Sequence, residues 1–196
     1  MHVTSILQRS FIAWMGAAIV SGVIFLISPA HASGDKTMCT PEDEALGAIK
    51  PLDAPAALPA LTLTTPDGRE VTLADYMGRG VVLNFWATWC APCVREMPEL
   101  DRLNAALAPV GIDVLAASMD RGGHAVIAAF YEKIGITNLA ALHDPKGVAA
   151  RALGIRGLPT TLIIAPDGRE IARIEGIHHY DTDATKAYLK RCIGPE

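Results

Sequence analysis

The chain has 196 residues, of which 51% are apolar, enough to bury the core of one domain with an appendage. Its formal net charge of -4, with no Lys/Arg cluster, leaves no electrostatic footprint for nucleic acid, and that class of partner is set aside.

Residues 1–32 read as an export segment. Arg9 is the one firm charge ahead of an uncharged run from Phe11 to Ile27, and Pro29 leads into Ala30-His31-Ala32, a small-residue pattern that suits a signal peptidase. As a helix the run would measure about 26 Å, at the short limit for crossing a bilayer. The segment is therefore a cleaved signal peptide or a retained membrane anchor, and either puts the remainder outside the cytoplasm. Residues 33–60 are expected to form a linker carrying Cys39. One short helix should start there, with Thr40 as N-cap, Pro41 at the first helical position and acids in the first turn. An extended connector through Pro51, Pro55 and Pro59 should follow.

From residue 61 to 196 the elements alternate. Leu61 to Thr64 and Glu70 to Thr72 flank the turn Pro66-Asp67-Gly68 and predict a hairpin. Val81 to Trp86 is a buried strand, and Ala91 to Leu107 a helix that Pro98 should kink. A strand at Ile112 to Ser118 follows, then a helix at His124 to Ile134, a short strand at Leu139 to His143 and a helix at Gly147 to Leu153. Thr160 to Ile164 and Glu170 to Glu175 form a terminal hairpin, and Asp181 to Cys192 a closing helix. Such alternation predicts an α/β domain, a central sheet covered by helices on both faces.

Trp89-Cys90-Ala91-Pro92-Cys93, set directly after the apolar run 81–86, carries the chemistry. Two thiols separated by two residues close a small ring, and a helix N-terminus favours a thiolate. Cys90 is expected to be the exposed attacking sulfur and Cys93, one turn in, the buried resolving one. Pro92 fits the first turn and limits flexibility between the sulfurs. Glu96 follows Cys93 by three residues, on the same helix face. It is expected to be partly buried, with a raised pKa, and to act as acid/base for the pair. Trp89 should form an apolar rim for substrate, and Trp86 should be core. Zinc would need four ligands, normally two close pairs, and Cys39 and Cys192 are isolated, so no metal or other cofactor is expected.

The run Asn84-Phe85-Trp86-Ala87-Thr88-Trp89-Cys90-Ala91-Pro92-Cys93, with Glu96-Met97-Pro98 after it, resembles the TlpA-like thiol:disulfide oxidoreductases of the thioredoxin superfamily, which include cytochrome c maturation reductants. Gly157-Leu158-Pro159-Thr160-Thr161 is similar to that superfamily's cis-proline loop. The two matches bracket a domain from about Leu61 to Cys192. The resemblance implies a thioredoxin-like fold with the N-terminal hairpin and a central insertion over 139–153. It implies a cis bond before Pro159, with the backbone of Leu158 pairing with an extended substrate segment. Asn84 stands where thioredoxin has a buried Asp and does not titrate, which moves the proton-handling task to another residue. A structural disulfide between Cys39 and Cys192 is expected, as in some TlpA-like proteins, with unpaired or intermolecular thiols as the alternative.

The function implied is a periplasmic reductant of disulfides in cytochrome c or cytochrome oxidase assembly clients, supplied with electrons by a membrane donor of the DsbD or CcdA type. The alternatives are an oxidase of folding proteins and a copper-binding assembly chaperone. The latter would draw on His178 and His179, although copper-carrying relatives space their cysteines by three residues rather than two.

Overall fold

In the computed structural model, which describes residues 39–195, the strands are β1 (Ile49–Ala57), β2 (Thr62–Thr64), β3 (Glu70–Thr72), β4 (Gly80–Trp86), β5 (Ile112–Ser118), β6 (Ala141–His143), β7 (Thr160–Ile164) and β8 (Arg169–Glu175). The helices are α1 (Ala91–Leu107), α2 (Gly123–Ile134), α3 (Val148–Ala152) and α4 (Asp183–Ile193). The strands join in one mixed sheet in the order β1-β8-β7-β4-β5-β6-β2-β3. β4 pairs in parallel with β5 and antiparallel with β7. The central sheet flanked by helices that the alternation predicts is observed, in the thioredoxin-like form that the resemblance implies. The export segment lies outside the described residues.

β4 is buried at every position, and its side chains alternate between two cores. Val82 and Trp86 point to the face that holds Met97, Leu100 and Leu103 of α1 and Tyr188, Leu189 and Ile193 of α4. Val81, Leu83 and Phe85 point to the other face, against Leu115, Leu142, Ala149, Leu153 and Leu162. The same period places Asn84 on the α1 face.

Two expectations for the 33–60 linker are corrected. The helix after Thr40 is a single 3-10 turn at Glu44–Leu46, capped by Asp43, whose side chain accepts from the Ala45 N–H at 2.9 Å. Three acids, Glu42, Asp43 and Glu44, and Gly47 in so short a stretch leave little apolar surface to hold a longer helix. The connector is β1, an edge strand antiparallel to β8, pairing Ile49 with Ile174 and Ala57 with Arg169. Pro51 and Pro55 are tolerated there because one side of an edge strand needs no ladder donor, and the register shifts between Pro51 and Ala56. Leu46 and Ile49 are buried, so this stretch belongs to the core rather than to a free linker.

The remaining elements fall close to expectation. Pro98 lies inside α1, where it removes the donor to the Val94 carbonyl. The hairpin β2–β3 extends the sheet through Thr64, which pairs with His143 of β6. α4 starts at Thr182, whose hydroxyl accepts from the Thr185 N–H at 3.1 Å. Among the described residues no helix is long and apolar enough to cross a membrane.

Candidate active site

β4 delivers the chain to the C-terminal edge of the sheet, and the turn after it opens α1 with the cysteine pair at its mouth. Cys90 is the N-cap of α1, Pro92 sits in the first turn, and Cys90 and Cys93 are joined as a disulfide. The Cys93 N–H points at the Cys90 sulfur at 3.3 Å, so the helix terminus aims a donor at the atom that would carry thiolate charge. Cys93 is 1% exposed and Cys90 6%. Cys90 is thus less open than expected of an attacking sulfur, because the bond to Cys93 draws it under the helix start. It still lines a cleft of about 520 Å³ together with Trp89, Pro92 and Leu158, whereas Cys93 does not.

A carboxylate the sequence did not single out holds this loop. Asp120, nearly buried, accepts from the Thr88 N–H at 2.9 Å, the Thr88 hydroxyl at 2.7 Å and the Ser118 hydroxyl at 2.8 Å. These bonds fix the residues that lead into Cys90. Nothing in the spacing of Asp120, 30 positions downstream of the motif, signals the contact; parallel pairing of β4 with β5 creates it.

Trp89 is 69% exposed on the cleft rim. Trp86 is fully buried and packs on Phe130 and Tyr131, with ring centroids 5.4 and 5.7 Å away. The Leu158–Pro159 bond is cis. Leu158 lines the cleft, immediately before β7, whose ladder with β4 starts at Thr160. The Pro159 carbonyl accepts from the Gly176 N–H at 2.9 Å. Met119, Ile155 and Arg156, none of them evident from the sequence, complete the cleft wall.

Glu96 is 2% exposed. Burial pushes its carboxyl up from the ordinary 4.5 to about 7, an effect only partly offset by the His178 N–H, which donates to Oε1 at 2.7 Å. Oε2 is buried with no hydrogen-bond partner. An acid with this pKa holds and releases a proton near neutral pH, one helical turn from the resolving sulfur.

His178 and His179 do not converge on the cysteines. The His178 ring is buried, its Nε2 lies 3.0 Å from the Thr185 hydroxyl, and burial lowers its pKa. His179 is exposed, with Nδ1 3.2 Å from Glu99 Oε1. Among the described residues no group of three or more His, Cys, Asp or Glu is arranged to hold a metal ion.

Cys39 and Cys192 are brought together, as neighbouring thiols rather than as the disulfide expected. Burial, then the hydrogen bond and charge of Cys39, push the Cys192 thiol up to about 12. The Tyr188 hydroxyl donates to the Cys39 carbonyl at 3.0 Å, tying the start of the described chain to α4.

Comparison with known proteins agrees with this geometry. The AhpC/TSA family model matches residues 55–171. The chain is 32% identical over 133 residues to thiol-disulfide oxidoreductase ResA of Bacillus thuringiensis subsp. konkukian, covering 68% of this chain and 75% of that protein. Its structure is similar to that of a DsbE thiol:disulfide interchange protein from Chlorobium tepidum, with a TM-score of 0.61 and 29% identity over 70% of this chain and 96% of that one. It is also similar to the exposed lipoprotein thioredoxin Etrx1 of Streptococcus pneumoniae, with a TM-score of 0.57 and 29% identity over 67% and 98% of the two chains.

Proposed function

Because the chain belongs to the AhpC/TSA family and is a thiol-disulfide oxidoreductase of the ResA and DsbE type, we propose that it works outside the cytoplasm as a reductant of disulfides in cytochrome c or cytochrome oxidase assembly clients. The single observation that supports this best is the Cys90–Cys93 disulfide with its inner sulfur buried beside an acid that titrates near neutral pH. The motif's likeness to TlpA-like proteins supports the client class. The export segment supports the location, and a membrane donor of the DsbD or CcdA type would supply electrons there. The N-terminal segment is a signal or an anchor.

In the reduced protein the Cys90 thiolate attacks one sulfur of the client disulfide and expels the other as thiolate, giving a mixed disulfide. The client segment lies along Leu158, with Pro159 facing the sulfurs and Trp89 and Pro92 against its side chains. Cys93 then gives its proton to the Glu96 carboxylate and attacks the Cys90 sulfur. The second client thiolate leaves with the electron pair of the broken bond, and Cys90–Cys93 is oxidised. Glu96 holds the proton until the donor reduces the pair again. Cys39 and Cys192 lie apart from this chemistry and, once oxidised, would staple the first described residues to α4.

Trapping tests the proposal. Cys93→Ser, expressed with its export segment, leaves clients bound covalently to Cys90, and mass spectrometry of those adducts is expected to find assembly factors or apocytochromes. A reduction potential near -270 mV, as for thioredoxin, is expected; one near -120 mV would make the protein an oxidant instead. Prepared dithiol that leaves insulin oxidised, with no adduct recovered, would overturn the reading.

A further inference from the structure

The cleft beside Cys90 is walled by apolar groups, Trp89, Pro92, Met119, Ile155 and Leu158 among them, and Arg156 is the one charged side chain that lines it. A second groove of about 340 Å³ adjoins it, reaching past Pro159 and Thr160 to Glu175 and Gly176, and Arg156, Gly157 and Leu158 line both. Arg156 therefore stands where the two meet. Arg69, Arg79, Arg102, Arg169 and Arg173 each hold a carboxylate of this chain. Arg156 is exposed and makes no ion pair or hydrogen bond among the described residues, Glu175 included. Its guanidinium presents a planar fork of donors that fits a carboxylate and keeps its charge at any working pH. The loop around it is open to an incoming backbone. The Thr160 hydroxyl donates to the Gly157 carbonyl at 2.8 Å and the Gly176 N–H to the Pro159 carbonyl at 2.9 Å, while the N–H and C=O of Leu158 between them have no partner among the described residues. Apart from its chain neighbours, nothing lies within 4 Å of where a Cβ on Gly157 would stand.

We propose that Arg156 is a specificity-determining residue, its guanidinium taking the carboxylate of an acidic side chain two or three positions from the client's reacting cysteine. The inference rests on the reading that client disulfides meet Cys90 along Leu158. An extended segment advances about 3.3 Å per residue, and Arg156 lies two residues from Leu158 on the same cleft wall. The client side chain that reaches Arg156 is thus a near neighbour of the cysteine in sequence. Beside an apolar wall the attraction is weakened less by water than on open surface, so the pair contributes more than an ordinary surface ion pair. Glu175, across the adjoining groove, repels a second acid there and confines the preference to the Arg156 side. A basic residue at the same client position meets a like charge and is disfavoured, so one side chain both attracts and rejects.

The test compares disulfide-linked dimers of one short model peptide, acetylated and amidated at its ends so that a side chain supplies the only charge. Its central Cys has Asp, Asn or Lys placed two positions before it or two after. Reduced protein is mixed with excess dimer. Cys90 attacks one peptide sulfur and expels the other peptide as thiolate, and Cys93 then attacks Cys90 and releases the second. Each protein oxidised yields two peptide thiols, counted by chromatography after an acid quench. Every rate is divided by that of the same dimer with dithiothreitol, which removes the intrinsic effect of the nearby charge. In the wild type the Asp peptide of one placement should react about fivefold faster than its Asn counterpart, with Lys slower still than Asn, and the ratio should shrink toward one between about 0.02 and 0.5 M salt. Arg156→Gln should bring the ratio to about one, and Arg156→Glu should make Lys the faster peptide. Each ratio compares peptides on the same protein, so a general loss of activity or stability cancels. A wild-type ratio near one for both placements, or a ratio that Arg156→Gln leaves as it was, overturns the proposal while reduction of the Asn dimer still upholds the reading beneath it. No peptide thiol from any dimer overturns that reading, and the role of Arg156 falls with it.

Discussion

Glu96→Gln in the oxidised protein should change stability in a manner set by pH. The wild-type carboxyl is raised by burial from 4.5 to about 7 in the folded protein, while in the unfolded chain it returns to its ordinary value. Below pH 4.5 both states hold the proton and the group costs nothing. Between 4.5 and 7 only the folded state holds it, so stability falls as pH rises, and the penalty from this one group reaches its full value above 7. At about 1.4 kcal/mol per tenfold change in the protonation constant, the loss is about 3 kcal/mol, and at 2% exposure little solvent screening reduces it. Gln keeps an oxygen for the His178 N–H and carries no charge, so its curve lacks this term. The cost of burying its amide is independent of pH and cancels between two measurements, as do all other titrating groups. Urea unfolding at pH 4 and pH 8.5 should therefore show the stability difference between variant and wild type moving in favour of Gln by about 3 kcal/mol, or about 1.5 M in midpoint at a typical slope of 2 kcal/mol/M. Parallel pH dependences for the two proteins would refute the reasoning, since the carboxyl would then titrate alike folded and unfolded.

Trp89→Ala should lower the kcat/KM of insulin reduction by about tenfold while leaving reduction of the Cys90–Cys93 bond by dithiothreitol unchanged, because this ring is exposed rather than part of the core and on the proposed function would meet the client. Equal rates with insulin would remove it from docking. Asp101, 6% exposed, accepts from the N–H groups of Thr137, Asn138 and Leu139 at 3.1, 2.6 and 3.0 Å. Asp101→Ala strands these donors and should cost about 3 kcal/mol in urea unfolding, with Asp101→Asn losing less; an unchanged midpoint would contradict the accounting. If Cys39 and Cys192 are oxidised in the exported protein, non-reducing peptide mapping should recover them cross-linked. Closing a loop of about 150 residues then makes Cys39→Ser less stable by up to about 5 kcal/mol on the chain-entropy model. Alkylation of both thiols without prior reduction would refute it.

The elements from residue 61 onward were largely legible in the chain because each carries its own local signal. A wholly apolar run marks a central strand, Pro-Asp-Gly marks a turn, and a Cys with Pro in the next turn marks a helix start. Cys90 caps the helix and Cys93 and Glu96 follow within its first two turns, at steps of three residues, so helical period alone placed them on a common site. Residues 49–57 were harder, since their prolines look like a linker until β8 presents an edge to pair with.

Composition and spacing sufficed for the class of fold, the reacting sulfurs and the acid beside them, all of which depend on neighbours within a few positions. Asp120 on the Thr88 loop, Arg156 on the cleft wall, the meeting of Cys39 with Cys192, and the buried Asn84–Thr161–Tyr180 chain were decided by tertiary structure alone. Each joins residues at least 19 positions apart, and long-range pairing leaves no periodic trace in the chain. It arises only when the sheet sets the register of β4 against β5 and β7, and burial then forces every enclosed polar atom to find what lies opposite.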